Sequence, residues 1–168
     1  MMVRVGLISD THGLLRPEAK AFLQGSDYIV HAGDICEQRV LDELASLAPL
    51  TAVRGNNDKG EWADGLRETE LLQVGAVRVY TIHDLAQLDL DPAAAGIRVV
   101  VSGHSHKPLV KERDGVLYVN PGSAGRRRFR LPIAVGELMV EGEAVTARIV
   151  EIDAAPSRGA SMNRSSSS

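Results

Sequence analysis

Residues 3–13, VRVGLISDTHG, are the stretch that decides the fold. Val3 to Ile8 is a short apolar run, typical of a buried strand, and it passes directly into the polar segment Ser9-Asp10-Thr11-His12. In open α/β sheets, ligands bind just beyond the carboxyl ends of the strands. Because alternate side chains of an extended segment leave on the same side, Asp10 and His12 can contact one metal ion. An Asp-x-His pair also arises by chance, so the rest of the chain must support this interpretation.

Four further polar clusters each follow a predicted strand. They are His31-Ala32-Gly33-Asp34, Gly55-Asn56-Asn57-Asp58, His83-Asp84 and Gly103-His104-Ser105-His106. Taken singly, each has a structural explanation as a turn or as a hydrogen-bonded loop. Four of the five histidines, namely His12, His83, His104 and His106, nevertheless fall just beyond the end of a predicted strand, so we favour one shared metal site. Its donors are carboxylate, amide and imidazole without thiolate, which suits hard or borderline divalent metals such as manganese, iron or zinc.

Strands and helices alternate in the first half of the chain, and strands dominate the second half. The predicted elements of the first half are strand 3–8, helix 17–24, strand 28–31, helix 37–47 and strand 51–53. In the second half we predict strands 71–74, 77–82, 97–102, 109–113, 116–119, 133–140 and 144–152. Gly75-Ala76 and Asp114-Gly115 are hairpin turn signals. We therefore expect an α/β protein with a mixed sheet system, parallel early and antiparallel late.

Length and composition set the organisation and exclude several classes of partner. A chain of 168 residues predicts one domain, which we place at 1–153, followed by a disordered tail at 154–168 that ends in four serines. A net charge of −3 and 4% aromatic residues disfavour a stable nucleic-acid partner. No apolar run approaches the ~20 residues of a membrane span. A single cysteine, Cys36, leads us to expect a reducing, cytoplasmic location.

The ordered set of motifs resembles a known superfamily. Asp10-x-His12, Gly33-Asp34, Gly55-Asn56-x-Asp58, His83 and Gly103-His104-x-His106 are similar to the motifs of calcineurin-like metallophosphoesterases. The short chain and the segments Asp10-Thr11-His12-Gly13 and Asn120-Pro121-Gly122-Ser123 resemble the small, single-domain YfcE-like phosphodiesterase branch. The resemblance runs from about Val3 to Ile152. It implies two packed mixed β-sheets flanked by helices, a four-layer αββα sandwich.

The resemblance also implies two divalent metal ions, with manganese expected and iron, zinc or nickel as alternatives. One ion would be held by Asp10, His12 and His106. The other would be held by Asn56, His83 and His104, and Asp34 would bridge both ions. The implied reaction is hydrolysis of a small phosphate ester by a metal-bridging hydroxide. We expect Asp34, Asn57 and Asp58 to be the catalytic residues, with Asp58 orienting a neighbour by a hydrogen bond.

Two positions depart from the superfamily's pattern. Asn57 stands where a histidine often follows Gly-Asn, and Asp84 stands where glycine often follows the histidine of His83. An amide cannot deliver a proton to a leaving group, so Asn57 favours a phosphodiesterase that acts on esters with good leaving groups. Asp84 adds a carboxylate near the site.

Several alternatives remain open from the sequence. The chain could be a non-enzymatic interaction protein on the same fold, as one retromer subunit of the superfamily is, or a phosphomonoesterase or protein phosphatase. The complete set of seven ligands favours an enzyme. The arginines at 126–128 and 130 form either a solvated loop or a phosphate clamp. Cys36 is expected to be a small buried apolar residue, and His31 to support Asp34 or pack at its strand end. The sequence identifies neither the substrate nor the oligomeric state.

Overall fold

The computed structural model describes residues 1–127 and 130–152, and two five-stranded β-sheets dominate it. In chain order the elements are β1 (Met2–Ile8), α1 (Pro17–Leu23), β2 (Tyr28–His31), α2 (Gln38–Ala45), β3 (Leu50–Ala52), β4 (Thr69–Val74), β5 (Val77–Ile82), β6 (Val99–Val101), β7 (Leu109–Arg113), β8 (Val116–Asn120), β9 (Ala134–Glu141) and β10 (Ala144–Glu151). Short 3₁₀ helices span Glu61–Ala63 and Leu85–Gln87. The predicted tail at 154–168 lies outside the described residues.

The first sheet has the strand order β10-β9-β1-β2-β3. β1, β2 and β3 are parallel, as their alternation with helices predicts, and β9 runs antiparallel to β1 with Val5 opposite Leu138. Along β1, Val5 and Leu7 pack towards the second sheet, whereas Ile8 packs towards the helices. Burial on both faces explains why this strand reads as a continuous apolar run rather than an alternating one.

The second sheet has the strand order β4-β5-β6-β8-β7. The two predicted hairpins, β4 with β5 and β7 with β8, are present as antiparallel pairs. The expectation that the sheet system is antiparallel late in the chain holds for these hairpins but is wrong for β5, β6 and β8, which pair in parallel. The connection from β5 to β6 spans residues 83–98. β6 pairs directly with β8, although β7 lies between them in the chain. A hairpin is marked by its two turn residues, whereas pairing through a long connection leaves no such local signal.

Three apolar clusters hold the layers together. The largest lies between the two sheets and includes Leu7, Val99 and Val119. A second joins the first sheet to α1 and α2. A third covers the outer face of the second sheet, where Leu85 of the 3₁₀ helix and Ile97 pack against the sheet. The predicted sandwich of two packed mixed sheets is confirmed, with a thin outer layer on the second sheet.

None of the helices within 1–127 and 130–152 has the length and apolar content needed to cross a bilayer.

Candidate metal centre

The loops that follow β1, β2, β3, β5 and β6 meet at the carboxyl ends of these strands, where the two sheets face each other. The backbone amide of Asp10 donates to the carbonyl of Gly33 at 3.0 Å, which joins the β1 and β2 loops. The amide of His104 donates to the Asp10 carboxylate at 3.1 Å, and Nδ1 of His83 lies 2.7 Å from the Ala32 carbonyl. All seven residues that the sequence predicts as metal ligands therefore lie around one centre.

Asp10, His12 and His106 form the first group of potential ligands, with one atom of each within 4.8 Å of the others. Oδ1 of Asp10 lies 3.4 Å from Nε2 of His106 and 3.9 Å from Nε2 of His12. The other carboxylate oxygen is occupied, since the Ser9 hydroxyl donates to it at 2.6 Å. Burial opposes ionisation of Asp10, but His106 and Ser9 lower the pKa of its carboxyl below the ordinary value. The group thus has a fixed anion with one oxygen facing two imidazoles.

Asp34 lies between this group and the next. Its Oδ2 is 3.6 Å from Nε2 of His12 and 3.4 Å from Nε2 of His83. The backbone amide of Asn57 donates to Oδ1 at 2.8 Å, and its side-chain amide donates to Oδ2 at 3.0 Å. Although Asp34 is buried, the His83 imidazole and the Asn57 donors hold the pKa of its carboxyl far below the ordinary value. Asp34 is therefore ionised and within reach of both groups.

Asn56, His83 and His104 form the second group. Oδ1 of Asn56 lies 2.9 Å from Nε2 of His83 and 3.2 Å from Nδ1 of His104. Nδ1 of His83 faces the Ala32 carbonyl, so that nitrogen carries the proton and Nε2 presents its lone pair to the centre. An amide oxygen and two imidazole nitrogens converge on one point, as the ligands of a cation do.

Buried polar atoms without a partner test whether a metal fits. Within the described part of the chain, Oδ1 of Asp10, Nε2 of His12 and Nδ1 of His106 are buried and form no hydrogen bond. Such unpaired atoms are costly unless something satisfies them. Oδ1 of Asp10 and Nε2 of His12 both face the centre, and a cation there would satisfy both. The residues present fit a divalent metal.

The backbone at these loops adopts a conformation that L-residues seldom take. Five of the seven predicted ligands have positive φ angles, namely Asp10 (55°), His12 (48°), Asp34 (60°), His104 (71°) and His106 (65°). Residues held in this left-handed region cost of order 1–3 kcal/mol each and cluster at functional sites. The concentration of this strain at one place is independent of the side-chain chemistry and indicates the same site.

Two glycines allow the loops to approach this closely. A Cβ at Gly55 would collide with the backbone and carboxylate of Asp34, and a Cβ at Gly103 would collide with the Ser9 hydroxyl. The absence of a side chain at these positions is therefore a requirement of the site.

Asp58 is buried behind the centre rather than facing it. Its Oδ2 accepts hydrogen bonds from the backbone amides of Asp34 and Gly55, and its Oδ1 accepts from those of Ile35 and Cys36, at 2.8–2.9 Å. Four donors occupy this carboxylate. The geometry matches the expected orienting role and makes Asp58 a positioning residue, one that ties the loop after β3 to the loop after β2.

His31 and Cys36 lie next to the predicted ligands. Nδ1 of His31 accepts from the amide of Gly33 at 3.0 Å, and Nε2 contacts the Thr11 hydroxyl at 3.0 Å. Burial lowers the pKa of His31 to about 3, so its imidazole is neutral and links the β1 and β2 loops. Cys36 is half-buried rather than buried, with Sγ 3.7 Å from Nδ1 of His12. Burial and the nearby Asp58 raise the pKa of its thiol to about 11.

Three supporting residues escape the sequence-based prediction of the site. Ser9 holds Asp10, the Ser123 hydroxyl donates to the Asp10 carbonyl at 3.1 Å, and the Asn120 amide donates to the Gly103 carbonyl at 3.0 Å. The motif Asn120-Pro121-Gly122-Ser123 is the only sequence signal that points to two of them. The hydrogen-bond partners of Asn120 and Ser123 are distant along the chain, so these contacts have no local signature in the sequence.

A cleft of about 450 Å³ opens beside the second group. Asn56, His83 and His104 line it, together with the charged side chains of Arg54, Lys59, Glu68, Asp84 and Asp89. On the side of the β1 loop, Gly125 packs against the backbone of Asp10 and Thr11, and the next residues, Arg126 and Arg127, are exposed. Arg128 lies outside the described residues, and a phosphate clamp at this loop stays a prediction.

Comparisons with known proteins agree with this geometry. The family model described as the calcineurin-like phosphoesterase superfamily domain matches residues 3–143. A protein of Methanothermobacter thermautotrophicus named "Probable metallophosphoesterase" is 35% identical, with 95% of this chain and 99% of that protein covered. A phosphodiesterase of Methanocaldococcus jannaschii is 29% identical over 71% of this chain and 83% of its own.

Among solved structures, Vacuolar Protein Sorting 29 from Cryptosporidium parvum has the same fold. The TM-score is 0.77 at 21% identity, with 90% of this chain and 92% of that chain covered. The family model and the 35% identical relative each match most of the chain and lead to one conclusion. The chain belongs to the calcineurin-like phosphoesterase superfamily.

Proposed function

We propose that this protein is a two-metal phosphoester hydrolase that prefers phosphodiesters. The observation that carries the proposal is the position of the Asp34 carboxylate, within 3.4–3.6 Å of an imidazole from each of two ligand groups. A carboxylate shared by two such groups is the arrangement that a pair of divalent ions requires.

Each group of side chains has a defined part in this proposal. Asp10, His12 and His106 would hold one ion, Asn56, His83 and His104 the other, and Asp34 both. When bound, two such ions stabilise the charge on a phosphoryl group and acidify a water molecule for attack on phosphorus. Manganese is the metal we expect, with iron, zinc or nickel as alternatives, because the nitrogen and oxygen donors suit borderline ions.

The choice of a diester rests on the leaving-group side of the site. The side-chain amide of Asn57 donates to Asp34 and has no proton to transfer, so an ester with a good leaving group is the suitable substrate. The cleft of about 450 Å³ is in the size range of small-molecule sites, and the cations Arg54 and Lys59 line it. The 29% identical relative named as a phosphodiesterase supports the same choice.

The test removes the negative charge of Asp34, which both ligand groups share. We expect Asp34→Asn to lower the metal content per chain and to reduce hydrolysis of bis(p-nitrophenyl) phosphate by at least about 100-fold. Metal content and turnover are measured on the same samples, with Asp64→Asn as the control, since this exposed carboxylate belongs neither to the ligand groups nor to the cleft lining. Full activity of Asp34→Asn, or of metal-stripped wild type, would contradict the two-metal proposal.

The same assay separates the proposal from its alternatives. An interaction protein on this fold would bind metal without hydrolysing any ester of a broad panel. A phosphomonoesterase or protein phosphatase would hydrolyse monoesters faster than the diester. Measuring initial rates on diesters, monoesters and a phosphopeptide with manganese-loaded protein decides among the three.

A further inference from the structure

Asp84 contacts both a backbone amide and the edge of a proposed metal ligand. Its Oδ1 accepts a hydrogen bond from the amide of Ala86 at 3.0 Å and caps the 3₁₀ helix Leu85–Gln87. Its Oδ2 lies 3.8 Å from Nε2 of His104. The cap orients the side chain, so that the second oxygen faces the imidazole.

We propose that Asp84 is a positioning residue, which holds His104 in the orientation and tautomer that let Nδ1 bind the second ion. The proposal rests on the proposed function, since it takes His104 as a ligand. It adds a role for a residue at which this chain departs from the superfamily's usual glycine.

The two nitrogens of His104 face different surroundings. Nδ1 lies 3.2 Å from Oδ1 of Asn56, inside the second ligand group, whereas Nε2 faces Asp84. A neutral imidazole that binds a metal through one nitrogen carries its proton on the other. With Nδ1 as the ligand, Nε2–H points at the Asp84 carboxylate. Carboxylates in this position fix the ring and strengthen it as a ligand.

His83 shows why His104 needs such a partner. The Ala32 carbonyl accepts from Nδ1 of His83 at 2.7 Å, and the ring is buried. The His104 ring packs edge-on against the His83 ring, at 5.2 Å between centroids, and 45% of its side chain is exposed. An exposed ring with free rotation would bind a metal weakly, so the orienting contact matters most at this ligand.

The separation of 3.8 Å between Oδ2 of Asp84 and Nε2 of His104 is longer than a hydrogen bond. A movement of about 0.6 Å would bring it to the hydrogen-bond limit of ~3.2 Å. The Asp84 side chain is 33% exposed, so such a movement displaces no packed neighbour from the apolar core. Of the acidic side chains that line the cleft, Asp84 is the one within ion-pair distance of His104 among the described residues.

The experiment is titration of the metal-free protein with Mn²⁺ by calorimetry, on wild type, Asp84→Ala, Asp84→Asn and Asp89→Ala. We expect wild type to bind two ions, and Asp84→Ala to weaken one site by about 10- to 100-fold without changing the other. Asp89→Ala removes a negative charge from the same cleft and should leave both affinities unchanged. Thermal unfolding of each metal-free variant checks that the fold is retained.

Asp84→Asn separates orientation of His104 from capping of the helix. Asparagine is a good cap, so its single side-chain oxygen can replace Oδ1 at Ala86, which leaves no acceptor for Nε2–H. We expect this variant to unfold at the wild-type temperature yet to lose metal affinity as Asp84→Ala does. ¹⁵N spectra of the Zn²⁺-loaded wild type should show His104 protonated at Nε2.

Three outcomes would overturn the proposal. Wild-type affinity in both Asp84 variants means that the carboxylate does not position His104. Equal weakening by Asp89→Ala means that the effect is general charge rather than orientation. In either case the wild type still binds two ions and the proposed function stands. A wild type that binds no Mn²⁺ overturns the proposed function and this inference together.

Discussion

Asn57 stands where the superfamily often has a histidine that could supply a proton. Its side-chain amide lies 3.0 Å from Oδ2 of Asp34, next to the carboxylate that both ligand groups share. A general acid at a leaving group typically contributes ~10²–10⁴-fold to a rate. Asparagine cannot make this contribution, so the wild-type rate should depend steeply on the pKa of the leaving group.

Replacing Asn57 by histidine should change this dependence. We expect Asn57→His to flatten the plot of log kcat/KM against leaving-group pKa, and to raise monoester hydrolysis relative to diester hydrolysis. Rates are measured on a series of substituted phenyl diesters and monoesters. Asn57→Ala is the matched control, because it removes the amide without adding an acid and should not flatten the plot. A wild type that hydrolyses alkyl monoesters faster than aryl diesters would disprove the argument from Asn57.

The three strands β1, β9 and β10 are joined by one carboxylate as well as by their backbone ladders. Arg4 of β1 donates from Nε to Oε1 of Glu137 at 2.7 Å, and Arg148 of β10 donates from Nε to Oε2 at 2.9 Å. Burial of Glu137 opposes its ionisation. The guanidinium groups of Arg4 and Arg148 outweigh the effect of burial and lower the pKa of the Glu137 carboxyl below the ordinary 4.5. The central strand of the three therefore carries an anion between two cations.

This arrangement predicts how stability depends on pH. A carboxyl whose pKa is lower in the folded state stabilises the protein above its unfolded pKa, and the stabilisation is lost as the pH falls through the folded value. We expect Glu137→Gln to lower the free energy of unfolding at pH 7 by about 1–2 kcal/mol. The difference from wild type should shrink below pH 4.5, the ordinary value for this carboxyl. Urea unfolding of the metal-free protein from pH 3 to 7 measures it.

The control for this prediction is Glu141→Gln, an exposed carboxylate at the end of the same strand. It should change the free energy of unfolding little at any pH. A Glu137→Gln variant whose deficit stays constant from pH 7 to pH 3 would show that the two arginines do not stabilise the charged form.

At the level of the molecule, the centre lies where the two sheets meet and draws on both. Asp10, His12 and Asp34 follow strands of the first sheet, whereas His83, His104 and His106 follow strands of the second. The apolar cluster between the two sheets packs them against each other. A metal bound by ligands from both sheets would link them at their carboxyl ends and stabilise the whole fold.

Metal should therefore raise the temperature of unfolding. An ion present at 100 times its dissociation constant stabilises the folded state by about 2.7 kcal/mol for one site. For a domain of this size, that corresponds to a rise of about 5–10 °C. Thermal unfolding with Mn²⁺ and with a chelator measures the difference, and Asp34→Asn should lose most of it. Equal unfolding temperatures in wild type with and without metal would contradict a centre that links the sheets.

The sequence by itself determined the parts of this protein whose signals are local. Short apolar runs predict the strands, and the turns at Gly75-Ala76 and Asp114-Gly115 predict two hairpins that the structure contains. These predictions succeed because side-chain periodicity and turn conformation depend on a few consecutive residues. The rule that parallel strands end at one edge of a sheet predicts that the polar clusters after the strands lie together, whereas the roles of the seven ligands come from the resemblance and stay a prediction.

The tertiary structure alone decided what depends on residues far apart in the chain. It places β6 between β5 and β8 and parallel to both, where the order of elements along the chain predicts antiparallel strands. It directs three distant backbone amides, those of Asp34, Ile35 and Cys36, to Asp58 and sets Asp84 against His104. It also holds ligand residues such as Asp10 and His106 in a left-handed backbone conformation that only the surrounding packing maintains. Pairing across long connections, burial and strain arise from the summed contacts of the fold, and a local stretch of sequence carries no signal for them.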